Sequence, residues 1–215
     1  MSWLVDHLVV GAATLEQGAA WCESTLGVVP GPGGRHPLMG THNRLLALPS
    51  EVFPRSYLEI IAIDPDAPEP GRRRWFDLDD AALRAALAAA PRLIHWVARC
   101  DDLDAECAAL AAAGIGRGEP LEAQRDTPQG LLRWRIAVRP DGQRLCGGAL
   151  PTLIEWGAVH PADHLPASPL RLVSLEVGAL PGAALHRLPA AVRCAAGLAA
   201  EIEGPRGRVR LEGLA

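Results

Sequence analysis

The sequence is most informative at first in what it lacks. It has no lysine: every basic residue is arginine. Together with abundant alanine, glycine and proline, that bias suggests a GC-rich bacterial genome. No basic block or stripe occurs, and the formal net charge is −4, which argues against a nucleic-acid partner. No CxxC is present, and the five cysteines are an odd number. Both facts exclude a disulfide framework or a thiolate zinc site as the simple reading and favour free thiols in a reducing compartment. No uninterrupted apolar run is long enough to span a bilayer. The N-terminal WLVDHLVV reads as a strand rather than a signal peptide, so a soluble, cytoplasmic protein is expected. Phe, Tyr and Trp are few, so a core must be built from Leu, Val, Ile and Ala, and the 215 residues suffice for a sizeable one.

What is present is a pattern that occurs twice. Residues 3–10 form a β-rich run. Thr14 is placed to cap a helix over 14–26, whose Leu15, Ala19, Cys22 and Leu26 fall on one face, and Gly27 stops it. PGPGGRHPLMGTHN follows as a Gly/Pro-rich stretch expected to be loop, and then RLLALP and SYLEIIAI are expected as strands. The pattern restarts at RLIHWVAR. Asp101, Asp102 and Asp104 open an Ala-rich helix that ends near Gly114, LLRWRIAVR and TLIEWGAV are later strands, and Pro140-Asp141-Gly142 makes a turn between them. A shift of 88 residues carries Val5-Asp6-His7 onto Leu93-Ile94-His95 and Leu15-Glu16 onto Leu103-Asp104. The second copy needs about eight extra residues to bring Leu153-Ile154-Glu155-Trp156 onto Tyr57-Leu58-Glu59-Ile60, a plausible hairpin insertion. LRLVSLEVGAL, the partly helical PGAALHRLPAAVRCAAGL and RVRLEG read as a third, partial copy without the His and Glu.

The expected fold class is therefore α+β, with two paired βαβββ modules and a partial third βαβ appendage. The boundaries are 1–64 for the first module, 65–90 for a linker and helix across roughly 79–90, 91–160 for the second module and 161–215 for the appendage. Arg72-Arg73-Arg74 in the linker could meet an acidic substrate tail, and a solvated linker is the plainer reading.

Four residues carry the expected chemistry. His7 and His95 sit within apolar first strands, and Glu59 and Glu155 within apolar late strands. A lone polar group in such a run must find a partner. A single His there is more often a hydrogen-bonded core residue than a ligand, but paired His and Glu at corresponding positions point to metal. Imidazole with carboxylate suits Zn, Ni, Co, Mn or Fe(II) rather than a thiolate-selective metal.

A His on the first strand and a Glu on the last strand of each βαβββ module resembles the glyoxalase/vicinal-oxygen-chelate superfamily, whose fold is also that of the bleomycin-resistance and dihydroxybiphenyl dioxygenase proteins. The resemblance covers residues 3–160. The segment His36-Pro37-Leu38-Met39-Gly40-Thr41-His42-Asn43 and the later Leu-Ile-Glu-Trp are similar to its glyoxalase-like domain branch. The resemblance implies a curved sheet around a cavity where His7, Glu59, His95 and Glu155 hold one divalent metal. It implies a lyase or isomerase acting on a small oxygenated metabolite through bidentate chelation and proton transfer, with Glu59 or Glu155 as general base. His36, His42 and Asn43, beside the Gly-rich stretch, are candidate substrate contacts. Trp96 and Trp156, each following a proposed ligand, are expected on the opposite face against helices, and His160 and His164 are expected at the surface. Two further readings stay open: a metal-free binding or sequestration protein of the same fold, and an extradiol-type dioxygenase. The expected partner is a small molecule, with no nucleic acid and no membrane, and a homodimer is left open.

Overall fold

A computed structural model describes residues 3–128 and 130–214. The chain is α+β. The first module runs β1 (Leu4–Gly11), α1 (Leu15–Leu26), β2 (Gly31–His36), β3 (Thr41–Ala47) and β4 (Tyr57–Ile63). A linker with α2 (Ala81–Ala89) leads to β5 (Arg92–Arg99), α3 (Leu103–Ala112), β6 (Pro120–Thr127), β7 (Gly130–Ala137) and β8 (Thr152–Trp156). These strands form one eight-stranded sheet in the order β2-β3-β4-β1-β5-β8-β7-β6. In each module the first strand lies parallel to the last, and the modules join through the antiparallel pair β1–β5. No helix among the described residues is long and apolar enough to cross a membrane, and all five cysteines are free.

The local signals explain the elements. Thr14 accepts a hydrogen bond from the Gln17 N–H and α1 ends on Gly27 at φ 77°, a left-handed conformation that glycine adopts without strain. Asp80 and Asp102 cap α2 and α3 through the N–H groups of Leu83 and Ala105. Gly142 donates its N–H to the Arg139 carbonyl, closing the expected turn.

One expectation is corrected. The stretch Gly31–His36 is a strand, not a loop, paired with β3 in a register that slips between Pro32 and Arg35. Proline has no N–H to give a ladder, but β2 is an edge strand, where a sheet tolerates it. Gly33 also lets β2 lie close on β3: a Cβ there would fall 2.2 Å from the Asn43 carbonyl oxygen.

Two apolar layers flank the sheet. On one face Val5, Leu8, Val10, Leu58, Ile60 and Trp96 pack against α1, α3 and the C-terminal segment. On the other, concave face Val9, Ile61, Ile94, Val97, Trp134 and Ile154 pack against the linker, with Trp75 and Phe76, and against α2. The C-terminal segment holds β9 (Arg171–Val177), α4 (Gly182–Leu185), β10 (Val192–Cys194), β11 (Ala199–Gly204) and β12 (Gly207–Glu212). β9-α4-β10 is a parallel βαβ unit, extended by the antiparallel β11 and β12 into a four-stranded sheet in the order β10-β9-β11-β12. It packs on the helix face of the large sheet through Leu172, Leu175 and Ile202.

Candidate functional site

The concave face of the first module concentrates the buried polar groups. His7 on β1 and Glu59 on β4 are 5% and 6% exposed. The parallel register sets Val9 opposite Glu59 and His7 opposite Tyr57, so His7 and Glu59 share a face, and the Tyr57 ring stacks on the His7 imidazole at 4.6 Å. His7 Nε2 lies 3.6 Å from Glu59 Oε2, an ion-pair rather than a hydrogen-bond distance. Asn43 Nδ2 donates to Glu59 Oε1 at 2.6 Å and stands 3.3 Å from His36 Nε2. The Gly34 N–H donates to Asn43 Oδ1 at 2.7 Å, fixing the amide's orientation.

Behind His7 sits Asp6, wholly buried. Its Oδ1 is 2.7 Å from His7 Nδ1, while Oδ2 takes the Trp156 indole N–H at 3.0 Å and His160 Nε2 at 2.9 Å. Adjacent residues of a strand ordinarily point to opposite faces. Here the β1–β5 ladder is irregular between Val5 and His7, and Asp6 turns back beneath its neighbour. Burial works against the Asp6 charge, but His160 and His7 overcome it and hold the carboxyl well below its ordinary range. Burial likewise opposes the His7 charge, and the carboxylates of Asp6 and Glu59 outweigh it, raising the imidazole to about 9. Glu59 is lowered because His7, His36 and Asn43 together offset its desolvation. His36 is pushed down to about 4 by burial. Near neutrality the site therefore holds an imidazolium and a carboxylate side by side, with a neutral His36 next to them.

A pH dependence follows. His7 is raised in the folded protein above its ordinary 6.5. Its contribution to stability is fully present below about 6.5 and is lost as pH rises through about 9. Urea unfolding should show wild type losing stability between pH 7 and 9.5, and His7→Gln losing distinctly less. Equal losses in the two proteins would mean that His7 is not the titrating group.

His36 and Asn43 thus join His7 and Glu59, whereas His42 does not. His42 points to the other face of β3, and its Nδ1 is 3.9 Å from Asp64 Oδ1. The second-module residues also stand apart. Both ring nitrogens of His95 are occupied: Nδ1 faces the Gly148 carbonyl at 3.1 Å, and Nε2 accepts the Thr152 N–H at 3.1 Å and lies 3.0 Å from Thr152 Oγ1. Burial holds this imidazole well below 6.5, so it is a neutral, satisfied core histidine. Glu155 is on the outer face of β8, where Oε2 accepts the Leu103 N–H at the start of α3.

Register explains the Glu155 displacement. Thr152 stands opposite Val97 as Glu59 stands opposite Val9, so Thr152 is the structural counterpart of Glu59. Glu155, three residues on, faces the other way. The four-ligand expectation is corrected accordingly: His7, Glu59, His95 and Glu155 do not converge. Among the described residues no group of three or more His, Cys, Asp or Glu side chains is placed to hold a metal ion, and the residues present do not fit a four-coordinate divalent centre.

The same register reverses the expectation for Trp156, which lies in the cavity rather than against a helix, while Trp96 packs on the helix face as expected. His160 is 3% exposed rather than at the surface. Arg74 is not a solvated linker residue either: it is 8% exposed and bound to Asp79 and Glu69. The neighbouring Trp75 and Phe76 roof the site, Trp75 edge-on to His36 at 5.0 Å and Phe76 against His95 at 5.1 Å.

The cavity bounded by His7, His36, Asn43, Tyr57, Glu59 and Arg125 has a volume of about 30 Å³, room for about one or two waters. It adjoins a groove of about 740 Å³ between β2, the β6–β7 hairpin and the loop after β8.

Comparison with known proteins bears on the chain as a whole. A family model described as a glyoxalase-like domain matches residues 5–192. No curated protein matches in sequence. Among solved structures, a hypothetical protein from Staphylococcus aureus aligns at a TM-score of 0.54 and 15% identity, over 83% of this chain and 70% of that one, a likeness of fold alone. A methylmalonyl-CoA epimerase from Streptomyces coelicolor aligns at 0.47 and 20% identity, over 74% and 99% of the two chains. That of Mycobacterium tuberculosis aligns at 0.41 and 18%, over 71% and 85%.

Proposed function

Because the chain belongs to the glyoxalase-like domain family, we propose that it is an isomerase or lyase that moves a proton on a small oxygenated metabolite, with Glu59 as base and His7 as acid. The observation that carries this reading is the buried line from Asp6 through His7 to Glu59 and Asn43, ending at the cavity. A carboxylate and an imidazolium 3.6 Å apart are the two groups an enolisation needs. Glu59 takes the proton from the carbon next to a carbonyl as that C–H bond breaks. His7 gives its Nε2 proton to the carbonyl oxygen, which would otherwise carry the negative charge. Return of the proton from Glu59 to the former carbonyl carbon, as a hydroxyl on the carbon that lost it gives its own proton to His7, completes an isomerisation; return of the enol proton to His7 as a β-substituent departs with its bonding pair completes a lyase reaction. Asp6 accepts the Nδ1 proton of His7, which aims Nε2 at Glu59, and its charge favours the doubly protonated ring. Asn43 holds Glu59 in place.

No step is routed through a metal, because His95 and Glu155 are committed elsewhere. Glu155 accordingly has no part in this scheme, and His42 none in binding.

The test is exchange rather than turnover, since it needs no knowledge of the product. Protein in D2O is offered 2-oxo acids, 2-oxoaldehyde–thiol adducts and acyl thioesters, and NMR follows deuterium at the carbon next to the carbonyl. Enzyme-dependent exchange on at least one class is expected. Saturable binding on the panel without exchange on any member would replace the enzyme by a sequestration protein.

A further inference from the structure

The cavity contains two donors that the protein leaves unused. Arg125 Nη1 and Trp75 Nε1 are buried and have no hydrogen-bond partner, and both residues line the wall that holds His7 and Glu59. A buried guanidinium N–H without an acceptor is costly. Arg125 stands where the small cavity meets the large groove: with the apolar Leu45, Leu132 and Pro161 it lines both, and it is the charged residue among them. It reaches this place from β6, at the far edge of the sheet, by lying across the opposite edge. A Cβ on Gly34 of β2 would stand only 2.1 Å from Arg125 Nη1. The sheet curls until its two edges meet at this contact, and the missing side chain at Gly34 makes the room.

We infer that Arg125 is the specificity-determining residue of the site and that the substrate is a small carbonyl-bearing carboxylate whose acid group it receives. This rests on the proton-transfer reading. The planar fork of arginine matches a carboxylate with two parallel N–H donors. Trp75 supplies a further neutral donor beside it. The charge balance agrees. An anion entering a cavity that already holds the Glu59 carboxylate meets repulsion, and Arg125 together with the His7 imidazolium offsets it. With the acid group held at the mouth, the adjacent carbon is directed inward to Glu59 and the carbonyl oxygen to His7. The rest of the molecule stays in the groove, where Pro32, Pro37, Leu45, Leu132, Val159 and Leu165 offer an apolar wall.

The experiment separates this inference from the reading beneath it by measuring binding as well as exchange. Oxalate, its neutral isostere oxamide and inorganic phosphate are titrated against the protein, read by the fluorescence of the cavity tryptophans Trp75, Trp134 and Trp156. Oxalate should bind wild type at least about 10-fold more tightly than neutral oxamide, a charge-assisted pair being worth that much, and no less tightly than phosphate. Arg125→Gln should abolish the preference, and Arg125→Lys should restore part of it. Gly34→Ala keeps the charge but moves the guanidinium, and should weaken oxalate binding without affecting oxamide. It also serves if Arg125→Gln folds poorly. Equal affinity for oxalate and oxamide, tighter binding of phosphate, or oxalate binding unchanged in Arg125→Gln would each overturn the inference. Exchange on neutral amides and esters as fast as on acids would overturn it while leaving the proton transfer standing. Selective oxalate binding without exchange would support Arg125 and remove the enzyme.

Discussion

Glu59→Gln should slow deuterium exchange by about 10²- to 10⁴-fold, the range a positioned general base contributes, while the fold survives. Gln keeps the length and planarity of Glu, and its Oε1 can still accept from Asn43, which now donates at 2.6 Å. What is lost is the basic oxygen and the charge facing His7. The imidazole loses one of the two carboxylates that keep it protonated, so base and acid weaken together. The check is the exchange rate at neutral pH, with circular dichroism confirming the fold. A rate within tenfold of wild type would remove Glu59 from the chemistry.

Asp6→Asn should have the largest effect on stability. Asp6 is wholly buried and accepts from three directions, with His7 on one oxygen and Trp156 and His160 on the other. An Asn amide has one oxygen and one NH2 group, so at least one of these N–H groups would face another donor. The His7 imidazolium would also lose its nearer counter-charge. Breaking one side of a buried ion pair typically costs about 3–5 kcal/mol, and a loss of this size in urea unfolding is expected, with His7 titrating nearer its ordinary value. The sign can be checked separately. A carboxyl lowered on folding contributes stability that is present above its unfolded value and lost as pH falls through the folded one. The deficit of the variant should therefore be full at pH 7 and shrink in acid. A loss below about 1 kcal/mol, the scale of an ordinary hydrogen bond, would mean that Asp6 is not the keystone of this network.

The sequence made the fold legible because its strongest signals are local and occur twice. Thr14, Gly27 and Asp102 are helix boundaries that any context would respect, and the 88-residue shift carries the first strand and helix start of one module onto the other. β2 was not legible, because Gly and Pro punctuate loops far more often than strands. Only its place at an edge, which is a tertiary fact, makes the strand tenable. Half of the candidate site was legible: His7 and Glu59 lie on strands that the first module's pattern marks by itself, while His36 and Asn43 were singled out as polar residues beside the Gly-rich stretch. The second half failed on register. Leu-Ile-Glu-Trp matches Tyr-Leu-Glu-Ile as a pattern, but strand faces alternate, and an offset of three residues turned Glu155 outward and left Thr152 where the first module has Glu59. Asp6, Trp156, His160 and Arg125 escaped because each acts through a contact across the chain. One signal for Asp6 was available: a carboxylate beside a histidine within an apolar strand needs a buried partner of its own.

That long reach of Asp6 also governs when the molecule becomes competent. During synthesis the N-terminal portion of a chain is released first and begins to fold first, so β1 through β4 can gather His7, Glu59 and Asn43 early. Asp6, however, waits for Trp156 and His160, some 150 positions downstream, and β1 waits for β5 to close its other side. Until those arrive, the Asp6 carboxylate beside His7 lacks both partners of its Oδ2. A nascent or truncated half therefore holds His7 and Glu59 without this support, and the network is complete only when nearly all of the large sheet has left the ribosome.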